Sequence, residues 1–125
     1  MYSRRANDDA SVYDLFSRGT RLLREGHPHQ AAMVLDRAKL LEPEKASIRE
    51  ALGRALYMAG QMARARREFA KAVAIDPASD YAHFALGLAC ERTGQRARAI
   101  GHLKLAVAMR PGIPEYERAL ARLGP

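Results

Sequence analysis

The chain has 125 residues, with 21 Lys and Arg against 14 Asp and Glu for a formal charge of +7, and 48% of its residues are hydrophobic. That length predicts one domain, and that composition excludes a disordered chain. A single cysteine excludes a disulfide framework and a multi-cysteine zinc site. The apolar runs are short, such as Ala31 to Leu35 and Leu105 to Met109, and fall far short of the roughly 20 residues of a membrane span. Arg4 and Arg5 are followed by Asn7, Asp8 and Asp9 instead of an apolar core, so no secretory signal is expected and a cytoplasmic location is.

The dominant signal is a period of 34 residues. Pro43, Pro77 and Pro111 keep it, as do Gly19, Gly53 and Gly87, then Gly26, Gly60 and Gly94. Ala31, Ala65 and Ala99 follow the same spacing, and so do Ala38, Ala72 and Ala106. Self-similarity at a fixed period of this size marks a repeat architecture. Residues 1–11 form a polar segment whose first ten residues are expected to fray. Three units then fill 12–45, 46–79 and 80–113, and residues 114–125 remain.

Each unit reads as two helices. In the second, Ile48, Leu52, Ala55, Leu56 and Ala59 recur at helical spacing, and Gly60 ends the stretch. A further helix is predicted from about Met62 to Ile75, with Ala65, Phe69, Ala72 and Val73 as its apolar stripe and Pro77 as its stop. The third unit repeats the pattern with Leu86, Ala89, Cys90, Gly94, Ala99, Leu103, Ala106, Val107 and Pro111. No segment alternates in the manner of a strand. Gly53 and Gly87 fall inside helices, where glycine costs up to about 1 kcal/mol relative to alanine. Their retention predicts a close helix approach, with Ala65 and Ala99 as the expected partners. The last twelve residues place Pro114 at a helix start and Tyr116, Leu120 and Leu123 on one face, which predicts a capping helix and seven helices in all.

These units resemble the tetratricopeptide repeat, whose pattern is W-x2-L-G-x2-Y, then A-x3-F, then P. The first supplies Leu15, Arg18, Gly19, Leu22, Ala31, Leu35 and Pro43. The second supplies Arg49, Leu52, Gly53, Leu56, Ala65, Phe69 and Pro77. The third supplies His83, Leu86, Gly87, Cys90, Ala99, Leu103 and Pro111. Leu15, Arg49 and His83 replace the large aromatic of the pattern, and Arg18 replaces its leucine, as an outward-facing terminal repeat allows. The resemblance implies an all-α, right-handed superhelical solenoid of three repeats with a C-terminal capping helix.

The resemblance also implies that the first helix of each unit lines a concave groove for a peptide or partner helix. Its groove positions hold Tyr13, Phe16, Thr20 and Leu23, then Ser47, Glu50, Arg54 and Tyr57, then Tyr81, Phe84, Leu88 and Glu91. Five of the eight aromatic residues fall there, which suits an apolar or amphipathic protein segment. Glu50, Arg54 and Glu91 would set polarity and register. Co-chaperone members clamp a C-terminal carboxylate with lysine and asparagine. The corresponding residues here are Phe16, Thr20, Ala51, Tyr81 and Ala85, so that clamp is not expected.

The excess charge falls on the second and third units, at +3 each, and much of it on Arg64, Arg66, Arg67, Lys71, Arg96, Arg98 and Lys104 of their second helices. Such a face offers nucleic acid or an acidic partner an alternative site. Open repeat ends offer self-association as another. His27-Pro28-His29 is expected in a solvated turn and not as a metal site, His83 as a packing residue and His102 as partly exposed. Cys90 is expected as a small buried hydrophobe, with no base or oxyanion site to make it a nucleophile. No cofactor and no enzymatic activity are expected. Gly101, inside a second helix, has no explanation in the pattern.

Overall fold

The computed structural model describes residues 4–124, and side chains over 11–124. Over this range the chain is all-α. It runs α1 (Arg4–Arg24), α2 (Pro28–Leu41), α3 (Ala46–Met58), α4 (Met62–Ile75), α5 (Asp80–Arg92), α6 (Arg96–Met109) and α7 (Pro114–Leu123). The helices pair as α1–α2, α3–α4 and α5–α6, and each pair packs on the next, with α7 against α6. Among the described residues no helix is long and apolar enough to cross a membrane.

The 34-residue punctuation sets these boundaries. Gly60 ends α3 at φ +84°, where only glycine is free of Cβ strain. Around it Gly60 N–H donates to Tyr57 O at 3.0 Å and Gln61 N–H to Leu56 O at 2.8 Å. This is a Schellman closure, which satisfies carbonyls the helix end would leave bare. It recurs at Gly26 and Gly94, where His27 N–H reaches Leu22 O and Gln95 N–H reaches Cys90 O, both at 2.8 Å. Pro43, Pro77 and Pro111 each follow the C-cap residue of a second helix.

The mid-helix glycines do answer a close approach, but not to the expected alanines. A Cβ at Gly53 would lie 2.6 Å from the Phe69 ring, one at Gly19 would lie 2.5 Å from Leu35 Cγ, and one at Gly87 would lie 2.9 Å from Leu103 Cγ. The partner is thus the large residue four positions after each alanine. Ala99 contributes only its carbonyl, 3.2 Å from the Gly87 position. Ala31, Ala65 and Ala99 are fully buried beside these knobs. At Gly101 an added Cβ would meet nothing within 4 Å. The fold gives no reason for that glycine.

Two further features differ from expectation. α1 starts at Arg4, eight residues before the unit boundary at Val12, because neither proline nor glycine interrupts residues 4–18. The part of the expected fraying that falls on residues 1–3 lies outside the described residues. Pro28 is the first residue of α2, so His29 is helical, although both His27 and His29 are exposed.

Candidate partner-binding groove

The first helices α1, α3 and α5 stand side by side, α1 touching α3 and α3 touching α5. Between α3 and α5 lies a cavity of about 180 Å³ lined by Arg54, Tyr57, Met58, Phe69, Tyr81, Phe84, Ala85 and Leu88. A cavity of this order holds one aromatic ring or branched aliphatic side chain. Its floor is the buried Phe69 of α4, the same ring that Gly53 admits. Ala85 is the one small side chain of its lining.

Five sequence-derived groove residues therefore converge: Arg54, Tyr57, Tyr81, Phe84 and Leu88. The other seven do not join them. Tyr13 is 72% exposed on α1, and Phe16 packs partly into the core beneath it. Thr20 Oγ1 donates to Phe16 O at 3.0 Å within its own helix. Glu50 accepts from Ser79 Oγ at 3.3 Å, and burial raises its carboxyl pKa. Glu91 is paired with Arg122 of α7 at 2.6 Å. Leu23, a further groove position, is core at 4% exposure, whereas Ser47 is exposed.

Met58, Phe69 and Ala85 were missing from the sequence-derived set. Met58 follows Tyr57 and reaches the rim from the next position of the helix, while Phe69 was assigned wholly to the core. Tyr116, on the packing face expected of the capping helix, docks directly on the cavity wall. It is 7% exposed, stacks on Phe84 with ring centroids 4.6 Å apart, and donates its hydroxyl to Asp80 Oδ2 at 2.6 Å. Burial and that bond raise the phenol pKa well above its ordinary range. Phe84 is thus both cavity wall and seat of α7.

The second-helix cations are largely committed within the chain. Arg64 pairs with Asp36 at 3.1 Å and Lys71 with Glu44 at 3.3 Å. Arg66 donates to Thr93 Oγ1 at 3.0 Å, Arg96 to the carbonyl of Leu123, and Arg98 to Gln95 Oε1 at 2.9 Å. Several of these contacts bridge successive helix pairs. Arg67 is exposed, and no ion pair or hydrogen bond involves its side chain among the described residues. Of the seven, only Arg64 and Lys71 meet a carboxylate among the described residues; Arg66, Arg96 and Arg98 meet neutral acceptors and keep their charge, and Lys104 is exposed.

The positions that replace the repeat's large aromatic build a polar layer instead. Arg49 and His83 are 34 apart, and so are their partners Glu68 and His102. Arg49 Nη1 meets Glu68 Oε1 at 2.9 Å, and its Nε donates to Pro43 O at 2.9 Å. Lys39 completes the site, 2.9 Å from Glu68 Oε2. One unit on, His83 Nδ1 lies 3.1 Å from His102 Nδ1, and His83 Nε2 lies 3.0 Å from Pro77 O. The proline carbonyl can only accept, so His83 carries its proton on Nε2 and receives the Nδ1–H of His102. Cys90 is fully buried, and burial raises its thiol pKa. Among the described residues no three His, Cys, Asp or Glu side chains cluster as metal ligands.

Stacked helix pairs with an apolar cavity on the row of first helices define a helical repeat scaffold. Two sequence models of the tetratricopeptide repeat match the chain, over residues 16–80 and 56–123. The chain belongs to the tetratricopeptide repeat family. No curated protein sequence matches it. Among solved structures it resembles an O-GlcNAc transferase of Thermobaculum terrenum at 25% identity, with a TM-score of 0.85 over 98% of this chain. It spans only 23% of that chain. It also resembles the tetratricopeptide domain of Arabidopsis OM64, at 20% identity and TM-score 0.88, over 94% of this chain and 97% of that one. A third likeness is to the type III secretion chaperone SycD of Yersinia enterocolitica in complex with a peptide of the translocator YopD. There the identity is 19% and the TM-score 0.78, over 91% of this chain and 87% of that one.

Proposed function

We propose that the chain is a protein-interaction module, an adaptor or assembly factor, which holds an apolar or amphipathic segment of a partner on the α1–α3–α5 face. The cavity between α3 and α5 carries this reading. It is an apolar depression the size of one side chain, floored by Phe69 and walled by Tyr57, Tyr81, Phe84 and Leu88. Large aromatic and aliphatic walls around a desolvated pocket are what interface anchors require. The likeness to SycD, whose structure contains a bound translocator peptide, supports the same reading.

The test needs variants that spare the fold. Phe84→Ala is unsuitable because it also unseats Tyr116 and α7. Met58→Ser is preferable, since Met58 is 53% exposed, and it is combined with Leu88→Ala. Random dodecapeptides displayed on phage are selected on the wild-type chain and rebound to this double variant. Binding should fall at least tenfold while helicity is kept. Equal binding by a folded double variant refutes the groove.

A further inference from the structure

We infer that the open edge of the first unit is an interface with a second copy of this chain, in which α1 and α2 pack antiparallel on the same two helices of the other copy about a twofold axis. The other units supply the comparison that carries this. Ile48, Leu52 and Ala55, then Ala82, Leu86 and Ala89, are buried, and Ile48 packs with Val12, Leu15, Val34 and Ala38 of the preceding pair. The equivalent positions of the first unit hold Asp14, Arg18 and Arg21, all exposed, with exposed Glu25 one turn further on. That edge is not simply made polar. An open depression of about 670 Å³ lies between α1 and α2, with Leu22, Met33 and Val34 beside Arg18, Arg21 and Arg37 in its lining. Met33 is 71% exposed, and Leu40, seven residues on along the same face of α2, is 79% exposed. Their equivalents are Arg67 and Gly101, then Ala74 and Ala108, so only the first unit sets large apolar side chains at both positions.

The mixture decides the occupant. Charges of both signs along α1 match no single-sign partner such as a nucleic acid or an acidic peptide. The same edge offers an unfilled depression and, in Met33, a side chain able to enter one, which is what a self-complementary, isologous contact needs. The packing of Gly19 on Leu35 sets the register of the antiparallel helix pair and puts Met33 level with Arg21 and Leu22. An axis across the helices at that level brings Leu22 and Met33 of each copy against Leu22 and Met33 of the other. Outward from the axis, Arg18 of one copy comes level with Glu25 of the other, and Arg37 approaches the same carboxylate from α2. Asp14 comes level with the other copy's His29. Arg21 lies nearest the axis and meets the Arg21 of the other copy, a like-charge contact that costs affinity.

Sedimentation equilibrium on the full chain tests this. A reversible dimer of the 13.8 kDa chain is expected, with circular dichroism confirming the fold of each variant. Met33→Arg with Leu40→Ala installs the residues that the second unit already carries, and should weaken the dimer roughly tenfold or more. Arg18→Ala and Glu25→Ala should each weaken it, and the double variant no more than Glu25→Ala alone, since both remove one contact. Arg21→Ala, the residue of the other two units, should instead tighten the dimer by relieving the like-charge contact. Met58→Ser with Leu88→Ala should leave it unchanged, which separates this edge from the groove. A monomer at every concentration up to about 100 μM, species larger than a dimer, or a dimer indifferent to Met33→Arg with Leu40→Ala overturns the inference. So does a dimer lost through the groove variant, weakened by Arg21→Ala, or showing additive losses at Arg18 and Glu25.

Discussion

Phe69 is the residue on which most depends. It fills the space that Gly53 leaves, joins α3 to α4 and floors the cavity. Gly53→Ala would put a methyl group 2.6 Å from the Phe69 ring, which is 2% exposed and would have to shift. A loss of about 1–3 kcal/mol is expected from overpacking, against the small gain that alanine normally brings to a helix. Gly101→Ala should have the opposite sign and stabilise by about 0.5–1 kcal/mol, since its Cβ meets nothing. Urea unfolding of both variants checks the pair, and equal signs would contradict the packing described. Glu68 is the second such residue. It is 7% exposed and bridges Lys39 of α2 to Arg49 of α3. Glu68→Gln leaves Arg49 without its counterion and Lys39 with only Asp36, 3.6 Å away, and removing one partner of a buried pair typically costs about 3–5 kcal/mol. With Lys39 and Arg49 still partly solvated, a value toward the lower end is expected from the same unfolding measurement.

At the scale of elements, the repeated positions carry different chemistry in each unit. Leu15 with Val34 is apolar, Arg49 with Glu68 is ionic, and His83 with His102 is a pair of imidazoles. Only the third of these layers contains imidazole side chains. Burial first, then His83 and Arg98, lower the pKa of His102 below its ordinary 6.5. The folded state therefore favours the neutral ring, and the unfolded chain takes up a proton first as the pH falls. Stability should be full above about pH 6.5 and decline below it until the folded-state pKa is passed. Melting temperatures at pH 7.5 and pH 5 read this directly. His102→Gln should flatten the slope over that window, and an unchanged slope would show that other groups set it. The pair joins α5 to α6, so the destabilised element is the third unit, next to the cavity wall formed by Tyr81, Phe84 and Leu88.

At the scale of the whole molecule, each helix pair packs chiefly on the next pair in the row. In such a solenoid stability is a sum of units and interfaces, and the ends are the weakest. Arg18 shows the consequence. Its equivalents Leu52 and Leu86 are buried at 0% and 2%, whereas Arg18 is exposed because no unit precedes it among the described residues. α7 occupies the register of a fourth first helix, 34 residues after α5, and closes the other end by the Phe84–Tyr116 stack and the Glu91–Arg122 pair. Amide hydrogen exchange should be slowest in α3 to α5 and faster in α1 and α7. Uniform protection across all seven helices would mean that the array opens only as one unit.

The sequence by itself determined the repeat, the helix boundaries and the family, because a 34-residue spacing of glycine, alanine and proline is a local, one-dimensional signal. Gly60 needs a left-handed turn and Pro77 needs a helix stop whatever surrounds them. The sequence also placed Arg54, Tyr57, Tyr81, Phe84 and Leu88 on one face. Which groups face one another was decided only in three dimensions. Phe69, not Ala65, receives Gly53; Met58 reaches the rim; Tyr116 returns to Phe84; and Arg64 and Lys71 are spent on Asp36 and Glu44. These pairings depend on side-chain length and on the stagger between stacked units, which no spacing along the chain records. The same is true of the charge. The total of +7 follows from composition, but which cations meet a carboxylate, Arg64 on Asp36 and Arg122 on Glu91 among them, was decided by the fold.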